Sequence, residues 1–125
     1  MNALELQRKQ TQALIDDDPT TVSLIPTIET TTPAGAKTEV DGDPRAPQTF
    51  KLSLLAFDQR PTVTLAGVAR VIDYHLIARW DAVIEVGDHW TDEAQTTYTI
   101  VGFSEGWGYM KKAFVERRVG KNEHP

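Results

Sequence analysis

The chain has 125 residues, 40% of them hydrophobic and 25% charged, the balance of one ordinary globular domain spanning 1–125. No apolar run approaches the ~20 residues of a bilayer-spanning helix, and the opening MNALELQRKQ lacks the basic-then-apolar layout of a secretory signal. Cysteine is absent, which excludes disulfides and thiolate-held metals, and a net charge of −5 argues against general affinity for nucleic acid.

Asn2 followed by Glu5 has the spacing of a helix capping box. Ala3, Leu6, Gln10, Ala13 and Leu14 then fall on one helical face. The acidic run Asp16–Asp18 and Pro19 stop the helix, because carboxylates disfavour a helix C-terminus and Pro restricts the residue before it. One helix over 2–15 is expected.

Everything after it reads as β structure. Thr20–Ile28 is rich in Thr, Val and Ile. Phe50, Leu52, Leu54 and Ala56 alternate with Lys51, Ser53 and Leu55. Thr62–Leu65 is a short strand, with Gly67 marking a bend. Between Val68 and Ala78, Ile72, Tyr74, Leu76 and Ala78 form one face of a longer strand. Ala82, Ile84 and Val86 lead into a Gly87-Asp88 turn, and Thr96–Val101 is a further strand. Gly102, Gly106 and Gly108 punctuate a last hairpin around Trp107 that returns along Tyr109–Val119; Lys121–Pro125 is an expected frayed tail. Short strands with frequent turn signals predict a mainly β fold: a small β-barrel or sandwich with a short N-terminal α-helix.

Between the first two strands lies a long polar segment without hydrophobic periodicity, 29–49. Unstructured loops beyond about 12–15 residues are uncommon in compact domains and usually functional or disordered. Thr30, Thr31 and Thr32 lead to the turn formers Pro33 and Gly35. Lys37–Val40 is placed as a short returning strand, carrying Glu39; Asp41-Gly42-Asp43-Pro44 breaks it, and Arg45 precedes Pro47. Out and back, such a segment reaches about 30 Å. Its expected use is to order against neighbouring subunits.

The remaining constellations carry little chemistry. Asp73, His75, Asp88, His89, Asp92 and Glu93 offer imidazole and carboxylate, but no H-x-H or H-E-x-x-H spacing. Ser23, Ser53 and Ser104 lack a nucleophile-elbow setting, and the glycines at 102, 106 and 108 lack a phosphate-binding pattern. No catalytic residue, cofactor or metal site is therefore assigned, and the chain is read as a non-enzyme. Trp80, Trp90, Trp107 and Tyr109 offer stacking surfaces, but few basic residues surround Trp80 and Trp90, so core or interface anchoring is the better reading.

The order and spacing of these elements resemble the small head-completion proteins of long-tailed bacteriophages, the head-to-tail stoppers. The resemblance rests on the helix ending at Asp16–Pro19, the strand Thr20–Ile28 and the loop closing at Pro44-Arg45-Ala46-Pro47-Gln48-Thr49-Phe50. It continues through Trp80-Asp81-Ala82, Ile84-Glu85-Val86-Gly87-Asp88, Tyr98–Val101 and the Gly-Trp-Gly hairpin into Tyr109–Arg118. It implies a virion protein of the phage neck, assembled in the host bacterial cytoplasm. A homo-oligomeric ring of 6 or 12 copies would sit below the portal and its head–tail adaptor and above the tail terminator or tail tube. It would close the DNA channel after packaging and give the tail its attachment surface, touching double-stranded DNA only transiently and no membrane. By position, 29–49 would be the channel loop. Leu6, Arg8 and Lys9 on the helix, and Lys111, Lys112, Arg117 and Arg118 near the other end, would be axial contacts. Another connector, such as a tail terminator, and a barrel binding nucleic acid or a small ligand are the alternatives.

Overall fold

A computed structural model describes residues 2–55, 60, 62–65, 68–104 and 108–119. The expectations for Gly67, Gly106, Trp107 and Lys121–Pro125 lie outside the described residues.

The helix α1, Ala3–Asp17, starts where the capping box places it: the Glu5 amide donates to Asn2 Oδ1 at 2.8 Å. It ends at Asp18, whose amide donates to the Ile15 carbonyl. The face it buries is not the expected one. Thr11 and Ile15 are buried, while Ala3, Leu6, Gln10, Ala13 and Leu14 are all exposed. The reason lies across the interface. The helix rests on the outside of the sheet, where a narrow line of contact suffices, so the apolar stripe is left to solvent.

The strands are β1 (Thr20–Val22), β2 (Thr27–Thr31), β3 (Lys37–Asp41), β4 (Gln48–Leu54), β5 (Thr62–Leu65), β6 (Val68–Val71), β7 (Tyr74–Arg79), β8 (His89–Thr91), β9 (Thr97–Phe103) and β10 (Met110–Arg118). Six of them form an antiparallel sheet in the order β1-β4-β7-β10-β9-β8. That sheet curls until β8 meets the chain just beyond β1. Ile25 and His89 exchange both backbone hydrogen bonds, at 2.9 and 3.0 Å. One segment, 20–25, thus serves both margins, and the result is a nearly closed β-barrel. A register shift at Phe114/Val115 supplies extra local bending.

Alternation follows the closure. Leu24, Phe50, Leu76, Ala78, Ile100, Ala113 and Val115 point into the main core, joined by Ala82, Ile84 and Trp90. Trp90 stacks on Tyr98 at 4.8 Å, and Tyr98 meets Tyr74 edge-on at 6.4 Å. Ile77, between Leu76 and Ala78 on β7, faces the other way and is buried beneath the helix side of the sheet.

Two expected strands are divided. Thr20–Ile28 is divided between Val22, where β1 ends, and Thr27, where β2 begins, with Pro26 just ahead of β2. The run from Val68 to Ala78 breaks at Ile72 and Asp73, although Ile72 stays buried as its alternation predicts. Ala82–Val86 forms no strand, yet Ala82 and Ile84 are buried in the core.

Candidate functional site: a projecting arm and its root

The polar segment is largely regular structure. β2 and β3 pair from Thr27↔Asp41 to Thr31↔Lys37, making a two-stranded arm. Its tip is a three-residue turn: Gly35 N–H donates to the Thr32 carbonyl, and Thr32 N–H to the Ala36 carbonyl. Gly35 has φ +86°, a left-handed position that fits glycine here. The reading of Lys37–Val40 as a returning strand is borne out, whereas the reading of 29–49 as one unstructured loop is corrected. Pairing also shortens the reach. Five-residue strands at about 3.4 Å per residue give an arm of roughly 15–20 Å, not 30 Å.

Beyond Thr27 the arm has no buried residue. Every residue from Ile28 to Thr31 and from Lys37 to Asp41 is exposed. Its two faces differ, because paired strands sort residues by twos. One face carries Glu29 opposite Glu39 and Thr31 opposite Lys37, with Asp41 at its base; Lys37 reaches Glu29 at 3.4 Å. The other carries Ile28 opposite Val40 and Thr30 opposite Thr38, without charge. Ile28 is 46% and Val40 45% exposed, an apolar pair with little to cover it.

The root is built differently. After β3 the chain turns back along its own entry path: Gly42 N–H donates to the Pro26 carbonyl and Arg45 N–H to the Leu24 carbonyl, both at 2.8 Å. A Cβ on Gly42 would stand 2.7 Å from Ile28 Cδ1 and 3.0 Å from Pro26 Cγ, so the two chains meet closely there. Arg45 then clasps the turn before β8. Its Nε donates to Asp88 Oδ2 at 2.9 Å and its Nη2 to Asp88 Oδ1 at 3.1 Å, a bidentate pair. Asp88 is only 1% exposed and Arg45 20%. Asp88 Oδ2 also accepts from the Glu85 amide at 3.0 Å, and Glu85 lies 3.5 Å from the guanidinium. The Asp88 hydrogen bonds raise the Arg45 pKa above its ordinary value, against the opposing effect of burial. Thr27 adds a hydroxyl bond to the Gly87 carbonyl at 2.7 Å, and His89 Nε2 meets Asp41 Oδ1 at 3.0 Å.

The expected loop residues therefore fall into two groups. Thr30, Thr31, Thr32, Pro33, Gly35, Lys37, Glu39 and Asp41 lie on the arm. Asp43 lies beyond its base, and Arg45 belongs to the root, its Nε and Nη2 donating to Asp88. The clasp was not anticipated as a pair. Its signal in the sequence was an Asp after a turn glycine and an Arg in a Pro-flanked segment, 43 residues apart.

The expected axial residues lie on two elements, α1 and β10. Leu6 is exposed on α1. The Arg8 guanidinium lies 3.8 Å over the Trp80 ring, and its Nε donates to the Gly108 carbonyl. Arg8, Lys9, Gln12, Arg79 and Trp80 line an open hollow of about 180 Å³. Lys111 Nζ donates to the Ala82 carbonyl at 2.6 Å, Arg117 Nη1 to Tyr74 Oη at 3.2 Å, and Arg118 lies 3.6 Å from Glu116. Lys112 stands near His75, whose pKa is lowered by burial and then by that lysine. Of the groups considered for a metal, Asp88 and His89 belong to the root, and Asp92 caps the β8–β9 turn through the Ala94 and Thr96 amides. Among the described residues no three His, Asp or Glu converge to hold a metal ion. Trp90 is enclosed by the core, so of the tryptophans described it is Trp80 that keeps an accessible face.

No protein-family model matches this chain, and no curated protein matches it.

Proposed function

We propose that the chain is a structural protein of a bacteriophage neck, acting as a ring of copies between the portal with its adaptor and the tail. The observation that carries this reading is the arm: a regular β-hairpin, exposed from Ile28 to Thr31 and from Lys37 to Asp41, whose returning segment is held to the barrel by a bidentate ion pair with a buried carboxylate. A lone domain gains nothing from holding such an appendage in one direction. Closed cyclic symmetry changes the balance, because each arm then meets identical copies and many weak contacts share the ordering cost.

The two faces of the arm have separate work in this arrangement. The Ile28/Val40 and Thr30/Thr38 face packs on a neighbouring subunit, where removing apolar area from water is favourable. The charged face, where Glu29, Glu39 and Asp41 outnumber Lys37, turns to the channel and repels DNA, so that the duplex passes without sticking once the gate opens. Leu6 and its apolar stripe on α1, with the basic residues of β10, supply contacts to the rings above and below. The role needs no catalysis and no cofactor.

The test is to replace residues 29–39 by an Asn-Gly turn joining Ile28 to Val40, which are already register partners. The purified variant keeps the barrel. Particles carrying it leak DNA or fail to join tails. Particles that retain DNA and infect normally would refute the proposal.

A further inference from the structure

The helix α1 is electrically polarised along one side. Arg8, Gln12 and Asp16 follow one another at four-residue spacing, so they line one helical face over about 12 Å. Arg8 stands at one end with Lys9 beside it, and Asp16 at the other, followed by Asp17 and Asp18. Gln12 lies between them and donates from Nε2 to Asp16 Oδ1 at 2.9 Å.

The basic end is shaped in advance. Its hollow is walled by α1 on one side and by Arg79 and Trp80 on the other. The Arg8 guanidinium is held over the Trp80 ring and by its Nε–H to the Gly108 carbonyl at 3.1 Å. A guanidinium fixed in this way loses little freedom when its planar fork meets a carboxylate. Neither Arg8 nor Lys9 has a carboxylate partner among the described residues, whereas Arg79 is engaged by Asp81 at 3.0 and 3.2 Å. Trp80 remains 39% exposed.

The acidic end has the opposite want. Carboxylates at a helix C-terminus oppose the helix dipole, and no basic residue lies in the last turn of α1. Asp16, Asp17 and Asp18 are all exposed. Lys51 comes within 3.9 Å of Asp17, which is still 80% exposed, so that contact is weak. Pro19, next in the chain, is exposed as well and sets an apolar surface beside the charges.

We infer that α1 is a joint between copies of this chain: the Asp16–Pro19 segment of one copy enters the hollow formed by Arg8, Lys9 and Trp80 of the next. Carboxylate meets guanidinium and ammonium, and Pro19 meets the accessible face of Trp80. An acidic protein segment suits this hollow better than nucleic acid does, because the chain's net charge of −5 repels phosphate at longer range. The contact joins two unlike surfaces, so it passes from copy to copy and can close on itself. Closure into a ring rests on the function proposed above; the contact itself does not. Arg8 and Lys9 then act within a ring, whereas the resemblance implied contacts between rings.

Sedimentation velocity of the full chain in isolation, at up to about 1 mM and about 50 mM salt, reads the contact directly. Expected is reversible association beyond two copies that weakens about fivefold or more when salt is raised to about 500 mM. Lys9→Glu disturbs no hydrogen bond or ion pair within its own chain and lowers the association constant about tenfold. Asp17→Lys/Asp18→Lys does the same. An equimolar mixture of these two variants associates more strongly than either alone, because the acidic segment of the first meets the intact hollow of the second. Association that stops at two copies sustains the joint and contradicts the ring. A chain that stays monomeric, association indifferent to salt, or a mixture no stronger than its components would overturn the inference. So would a hollow that instead takes a DNA duplex of about 20 base pairs, with binding lost in Lys9→Glu.

Discussion

Removing Arg45 should damage this protein more than neutralising its partner Asp88. The two halves of the clasp sit in different surroundings: Asp88 is 1% exposed, whereas Arg45 is 20% exposed and can reach water. Arg45→Ala strands a buried carboxylate that retains only the Glu85 amide as a donor. Breaking a buried pair from one side costs about 3–5 kcal/mol. The remaining amide and the partial access to solvent place the expected loss near the bottom of that range, about 3 kcal/mol. That corresponds to a fall in Tm of about 10 °C for a chain of this size. Asp88→Asn keeps the shape and still accepts from Glu85, while the released guanidinium hydrates, so its cost is about 1 kcal/mol. The double variant Arg45→Ala/Asp88→Asn should cost less than the sum of the singles by about 1–2 kcal/mol, because the stranded charge is gone. Urea denaturation of the four proteins measures all of these. An Arg45→Ala loss below about 0.5 kcal/mol, or strict additivity, would refute the clasp as the arm's anchor.

Phe50→Ala, in the centre of the core and 1% exposed, should cost about 3–5 kcal/mol by urea denaturation. Replacing residues 29–39 by Asn-Gly should change global stability by less than about 1 kcal/mol, because the β2 and β3 residues removed are all exposed. His75 gives a pH dependence of definite sign. Burial lowers its pKa below the ordinary 6.5, with Lys112 adding to the effect, so the fold favours the neutral ring. Its contribution is complete above pH 6.5 and is lost as pH falls towards and through the lowered value. His75→Gln should therefore flatten the decline in urea midpoint below that pH, and an unchanged slope would contradict it. Gly42→Ala should push the arm's root apart, read as shifted amide resonances at Ile28 and Pro26's neighbours with the barrel signals in place.

What the sequence disclosed tracks what the fold buries. Phe50, Leu76, Ala78 and Ile100 alternate because one side of each strand meets the core, and those strands were legible. The arm is β structure with neither face covered, so selection for burial left no alternation in it, and it resembled a loop. The helix was legible from its cap, where the chemistry is local, but its face was misread. Thr11 and Ile15 make the contact, while the more apolar stripe through Leu6 and Leu14 faces solvent. The clasp was illegible for a third reason. Arg45 and Asp88 are brought together only by barrel closure, a relation between segments that no local pattern encodes.

The proposed role requires the arm to act between copies of this chain at a phage neck. Cryo-electron microscopy of intact particles, focused on the head–tail junction, tests that directly. Expected is a closed ring of these barrels with the β2–β3 arms directed at the axis, their Ile28/Val40 faces against neighbouring subunits. A neck without this chain, or a ring whose arms point outward into solvent, would contradict it.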